Sequence, residues 1–63
     1  MAPKVREVVE RLEREGWVLA RQRGSHRHYT HPTKPGVVTV AGKPSKQLPE
    51  GTWNGIQKQA GWR

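Results

Sequence analysis

Apolar residues recur at Val5, Val8, Val9 and Leu12, the i, i+3, i+4, i+7 spacing that lines one face of an amphipathic helix. A helix is therefore expected from Pro3 to Glu15, with Pro3 in its first turn and Gly16 as its C-terminal stop. Glu7 and Arg11, and likewise Glu10 and Arg14, stand four residues apart on the polar face, the spacing of favourable ion pairs. After Gly16 the period changes. Residues 17–23, WVLARQR, carry strand-forming types, and Gly24-Ser25 is a two-residue hairpin signal in which glycine supplies the positive φ of a type II′ turn. Residues 26–31, HRHYTH, then make the returning strand. Pro32 and the KPG of residues 34–36 mark a second turn. A third strand, VVTVA (37–41), follows, with Val38 and Val40 on one face and Val37 and Thr39 on the other. Beyond a polar loop, TWNGIQKQA (52–60) before Gly61 predicts a short second helix with Trp53, Ile56 and Ala60 on one stripe. Gly55 weakens that helix by about 1 kcal/mol relative to alanine.

The order is α-β-β-β-α, an α+β domain spanning residues 1–63 without repeats. Because each helix is apolar on one side only, both are expected on one face of a three-stranded antiparallel meander, leaving the other face open. A chain of 63 residues buries only about 60% of its unfolded surface, so its core is marginal and a bound partner would add stability. The absence of cysteine removes disulfides and thiolate metal sites from consideration. No apolar run reaches the roughly 20 residues of a membrane span, and the N-terminus lacks the apolar stretch of a signal peptide. A soluble, unprocessed cytoplasmic protein is expected.

The net charge of +7 is unevenly placed. Residues 1–16 hold four basic and four acidic side chains, whereas residues 17–63 hold eight Lys or Arg against the single acid Glu50. The first helix thus reads as scaffold with a solvated polar face. The basic remainder would attract phosphates.

Residues 23–32, RGSHRHYTHP, contain all three histidines, the only tyrosine and two arginines. If the second strand starts at His26, period-2 alternation puts His26, His28 and Thr30 on one face and Arg27, Tyr29 and His31 on the other. That split, with no cysteine and few carboxylates, disfavours a metal site, and no cofactor is expected. Tyr29 is the natural aromatic to pack beneath the helices. His26 follows the tight turn and is flanked by Arg21, Arg23 and Arg27, so its imidazole should be exposed. RNA carries its own nucleophile, the 2′-OH, so cleavage needs a base, an acid and a cation for the developing phosphorane charge. Histidine can perform either proton transfer near neutrality, and arginine can hold phosphate. Residue types alone leave catalysis and passive phosphate binding both open.

The segments GW after the first helix, RQRGSHRHYTHP, VTVAGK and the terminal GTWNGIQKQAG together resemble the HicA family of toxin mRNA interferases, in order and over nearly the whole chain. The resemblance implies a fold like the double-stranded RNA-binding domain and metal-independent cleavage of single-stranded RNA or mRNA. It also implies neutralisation by a HicB-type antitoxin protein. The family's catalytic histidine, in its G-S-H motif, corresponds to His26, with Gly24 and Ser25 shaping the turn. His28 is a candidate helper that the family pattern does not require. Arg21, Arg23, Ser25, Arg27 and Lys43 are the candidate RNA contacts. Many relatives carry V-P-x-H after the third strand where this chain has Val40, Ala41, Gly42 and Lys43, so Lys43 could hold phosphate charge in place of a second histidine. Gln57 and Gly55 also replace the leucine and serine frequent in the relatives' last helix.

The rival reading is a non-catalytic RNA-binding module of the same element order. Such domains grip duplexes through lysines at the start of the last helix, where GTWNG has none. A further rival is an interaction protein anchored through Trp53 and Trp62, although the spacing of Trp53 to Ile56 favours core packing.

Overall fold

In the computed structural model, which describes residues 1–62, the N-terminal amphipathic segment forms helix α1, Val5–Arg14. Val5, Val8 and Leu12 are buried, and Val9 packs against them from a half-buried position. Gly16 ends the turn with φ +95°, a backbone state in which a Cβ is strained; here a Cβ would also lie 3.0 Å from the His31 ring.

The start of α1 departs from expectation. Pro3 lies ahead of the helix and Lys4 is the N-cap, because residues 2–4 are held extended by the loop that precedes the second helix. Lys4 bridges to Gln47, the Leu48 N–H donates to the Pro3 carbonyl at 2.9 Å, and Gln47 Nε2 donates to the Ala2 carbonyl at 2.9 Å. The same loop accepts two of the helix's orphan amides: Val5 N–H reaches the Lys46 carbonyl at 2.8 Å and Arg6 N–H the Pro44 carbonyl at 3.0 Å. Glu7 accepts the Lys4 backbone N–H at 2.8 Å and does not pair with Arg11, which instead meets Glu15 at 3.1 Å. Among the described residues the ion pairs are this one and that between the amino terminus and Glu50, so Glu10 and Arg14 do not pair.

Strands β1 (Val18–Arg23), β2 (His26–Thr30) and β3 (Val38–Ala41) form one antiparallel sheet in the order β1-β2-β3. Each is slightly shorter than the pattern predicts: Trp17 precedes β1, His31 follows β2 and Val37 stands exposed before β3. Helix α2, Glu50–Ala60, starts earlier than expected, at the Pro49 N-cap, and ends at a left-handed Gly61. The core consists of Val5, Val8 and Leu12 from α1, Ile56 and Ala60 from α2, and Tyr29, Val38 and Val40 from one sheet face, completed by Ala2, Trp17 and Leu48. Trp53 is half-buried against it. Both helices therefore cover one face of the sheet. Among the described residues no helix is long and apolar enough to cross a membrane.

Candidate functional site

Register decides which side chains share the uncovered face. Arg23 pairs with His26 and His26 with Ala41; Arg21 pairs with His28 and His28 with Thr39. Directly opposed residues project to the same side with Cβ atoms about 5 Å apart, so His26, His28, Arg21, Arg23 and Thr39 form one surface. The opposite side carries Tyr29 paired with Leu19 and Val38, and Arg27 paired with Gln22 and Val40. A β-bulge between Leu19 and Arg21 makes this possible. The two-residue turn sets the phase of Arg21 and Arg23, and the extra residue, Ala20, shifts the phase upstream so that Leu19 stands opposite Tyr29.

The turn itself is fixed from three sides. Gly24 has φ +59° while Ser25 keeps a negative φ, as a type II′ turn requires. Gln22 Nε2 donates to the Gly24 carbonyl at 3.0 Å, and Gly42 N–H donates to the Ser25 carbonyl at 3.2 Å. This last bond draws the end of β3 against the hairpin tip and places Lys43, exposed, next along the chain.

His26 is exposed and makes no side-chain hydrogen bond among the described residues, so both ring nitrogens face solvent. His28 is half-buried, with Nδ1 3.1 Å from Thr39 Oγ1, and its ring lines an open cleft of about 280 Å³ with Ala20, Arg21, Thr30 and Val37. The Thr39 backbone N–H in turn donates to Gln59 Oε1 of α2 at 3.3 Å. Of the predicted RNA contacts, Arg21, Arg23, Ser25 and Lys43 border this surface. Arg27 does not: it projects to the helix side, where Nη1 donates to the Gly42 carbonyl at 3.1 Å and the residue lines a cleft with Val5 and Val9. Its structural effect is to hold the start of the Lys43 loop.

His31, separated from the other two histidines as period-2 alternation predicts, is fully engaged. Its Nδ1 accepts the Thr33 N–H at 3.1 Å, which leaves the proton on Nε2 to be donated to the Glu15 carbonyl at 2.9 Å. Its ring meets Trp17 edge-on, centroids 5.2 Å apart. Among the described residues no three His, Asp or Glu side chains gather to hold a metal ion. Nearby, the Trp62 indole N–H donates to Glu15 Oε1 at 2.8 Å, and Arg11 lies over the Trp62 ring at 3.9 Å. Trp62 and Arg11, in that order, hold the Glu15 carboxyl below its ordinary pKa of 4.5. Trp53 and Trp62 tilt against each other at 5.9 Å and border a cavity of about 460 Å³ on the helix side, remote from His26. Their mutual packing, with Arg11, accounts for much of their aromatic surface.

A family model described as the HicA toxin of bacterial toxin-antitoxin systems matches residues 5–62, from the first residue of α1 past the end of α2. The chain belongs to the HicA toxin family. No curated protein matched the sequence. Membership in HicA makes this a toxin of a toxin–antitoxin system, with an antitoxin as its partner. The HicA match includes the whole hairpin and so both faces of β2.

Two site residues escaped sequence reasoning. Alternation sets Thr39 on the face opposite Val38 and Val40, but its hydrogen bond to His28 depends on a cross-strand register that β2 alone does not reveal. Gln22 was not singled out at all. The bulge did leave a signal: odd positions 17 and 19 are apolar while 21 and 23 are basic, which one uninterrupted strand phase would not reconcile.

Proposed function

We propose that this HicA protein is a metal-independent endoribonuclease acting on single-stranded RNA, mRNA in the cell, with His26 as a general acid or base. The observation that carries the reading is the uncovered sheet face, where an unengaged imidazole stands at the mouth of the hairpin opposite Arg23, with Arg21 next along the same face of β1. Such an arrangement suits a phosphodiester whose own 2′-OH is the nucleophile: imidazole moves protons near neutrality, and guanidinium groups offset charge on the phosphorane. Arg21, Arg23 and Lys43 serve as phosphate contacts, and Ser25 lies at the lip of the same surface. Arg27 contributes by holding the Gly42 carbonyl. A HicB-type antitoxin neutralises the protein by covering His26 and its arginines, within a single cytoplasmic domain of residues 1–63.

The test is cleavage and binding of a mixed-sequence single-stranded RNA in EDTA by wild type and His26→Ala. General acid–base groups contribute about 10²- to 10⁴-fold, so the rate should fall by about a hundredfold or more with little change in affinity. Wild-type protein that is folded and antitoxin-free, binds RNA and never cleaves it would instead be a non-catalytic RNA-binding module.

A further inference from the structure

Transphosphorylation of RNA moves two protons: one leaves the 2′-OH as it attacks phosphorus, and one joins the 5′-oxygen as its bond to phosphorus breaks. A 2′,3′-cyclic phosphate and a free 5′-hydroxyl result, with no net consumption of water or protons. Two separate groups perform this most readily, one neutral and one protonated at the start. His26 is one. The sheet face offers a second at the next position of the same phase, about 7 Å along the strand.

We propose that His28 is the second proton-transfer group of this site and that Thr39 is its positioning residue. This rests on the ribonuclease reading above and extends it. His28 is placed as such a group needs to be. It shares the His26 face, stands opposite Arg21, and its ring lines the open cleft. Its Nδ1 is occupied by Thr39 Oγ1 at 3.1 Å, which fixes the ring plane and leaves Nε2 as the nitrogen for substrate. The Thr39 backbone is itself held by Gln59 of α2, so the ring orientation is tied to the folded core. The contrast with His31 is instructive, since both nitrogens of that ring are consumed by backbone groups. The charged and titratable groups on the His28 face are Arg21 and Arg23 from β1 and His26 from β2; β3 contributes neutral Thr39 and Ala41, and Lys43 follows at the hairpin end. A general acid and a general base acting together give a bell-shaped pH profile, and the two histidines of this face are the pair proposed for it.

The experiment measures the pH dependence of single-turnover cleavage, with RNA affinity alongside, for wild type, His28→Ala, His28→Asn, Thr39→Val and Thr39→Ser. Wild type should give a bell. His28→Ala and His28→Asn should each lose about 10²-fold in rate and one limb of the bell, at near-constant affinity. The asparagine variant keeps a polar partner for Thr39, so its loss would not come from an unpaired Thr39 hydroxyl. Thr39→Val should lose about tenfold and displace the same limb, and Thr39→Ser should restore both. Wild-type rates and both limbs in the two His28 variants, beside an inactive His26→Ala, would overturn the role of His28 while leaving the ribonuclease reading standing. Equal profiles for Thr39→Val and wild type would overturn the positioning role. A wild-type protein that never cleaves would overturn the ribonuclease reading itself, and this proposal with it.

Discussion

Strand β2 presents two unlike surfaces within five residues. On the helix side Tyr29 is 1% exposed, packed among the core residues, and burial raises its hydroxyl pKa above 10.0. On the other side His26 is exposed and unengaged, and His28 is half-buried with its Nδ1 against Thr39. One face holds the fold together and the other is available for chemistry, and period-2 geometry lets a single short strand do both. The division explains how a chain with a marginal core can still present a polar site: none of the site's polar groups has to be buried. Among the described residues every buried side chain of the core is apolar or aromatic.

Substitutions should separate the two faces. The largest effect is expected for Tyr29→Ala, about 3–5 kcal/mol, comparable to the whole stability of a domain this size at about 5 kcal/mol. Far-ultraviolet circular dichroism and urea titration should find it largely unfolded, whereas His26→Ala should unfold at the wild-type midpoint. A Tyr29→Ala protein as stable as wild type would dissolve the distinction. His31→Ala is expected to be intermediate. It removes the edge contact with Trp17 and the hydrogen bond to the Glu15 carbonyl, costing about 1–2 kcal/mol, yet cleavage per folded molecule should stay at the wild-type rate. A large loss of activity in that variant would show that the third histidine belongs with the other two.

The smallest effect is electrostatic. Because the folded-state pKa of Glu15 is depressed, its carboxylate favours the native state above its ordinary pKa of 4.5, and that contribution disappears as pH falls through the folded-state value. Urea midpoints measured from neutral pH down into the acid range should therefore decline, and less so in Glu15→Gln. The cleavage profile near neutrality should not follow Glu15, which lies on the α1 side of the molecule, remote from His26.

Much of this was legible in the sequence, for physical reasons that also explain the gaps. The α1 spacing, the Gly24-Ser25 turn and the alternation of β2 are local patterns, and local patterns survive in the linear chain. They placed Tyr29 inward and His26 with His28 outward. Three features were harder to read because each depends on backbone pairing between segments, although the change of phase around Ala20 leaves a trace. The Ala20 bulge is a mismatch between two strands, the Thr39 contact is a cross-strand register, and the withdrawal of Pro3 from α1 depends on carbonyls of residues 44–48. Arg27 shows the limit of composition: alternation already sets it on the Tyr29 face, yet its place in an arginine-rich hairpin makes it count as a phosphate contact.

The clasp between the N-terminal segment and the loop before α2 has a consequence for the order in which the molecule can be completed. Helix α1 precedes the sheet in the chain, but its leading amides find their acceptors only at Pro44 and Lys46, and the Leu48 amide must reach back to Pro3. The contacts are among the most distant in sequence, so the loop-closure entropy they demand is met late in folding. A nascent chain that has displayed its histidine hairpin still lacks the segment that closes α1 and the Gly42 amide that braces the turn. For a toxin, the surface that carries His26 is thus braced only once residues 42–48 have joined the fold.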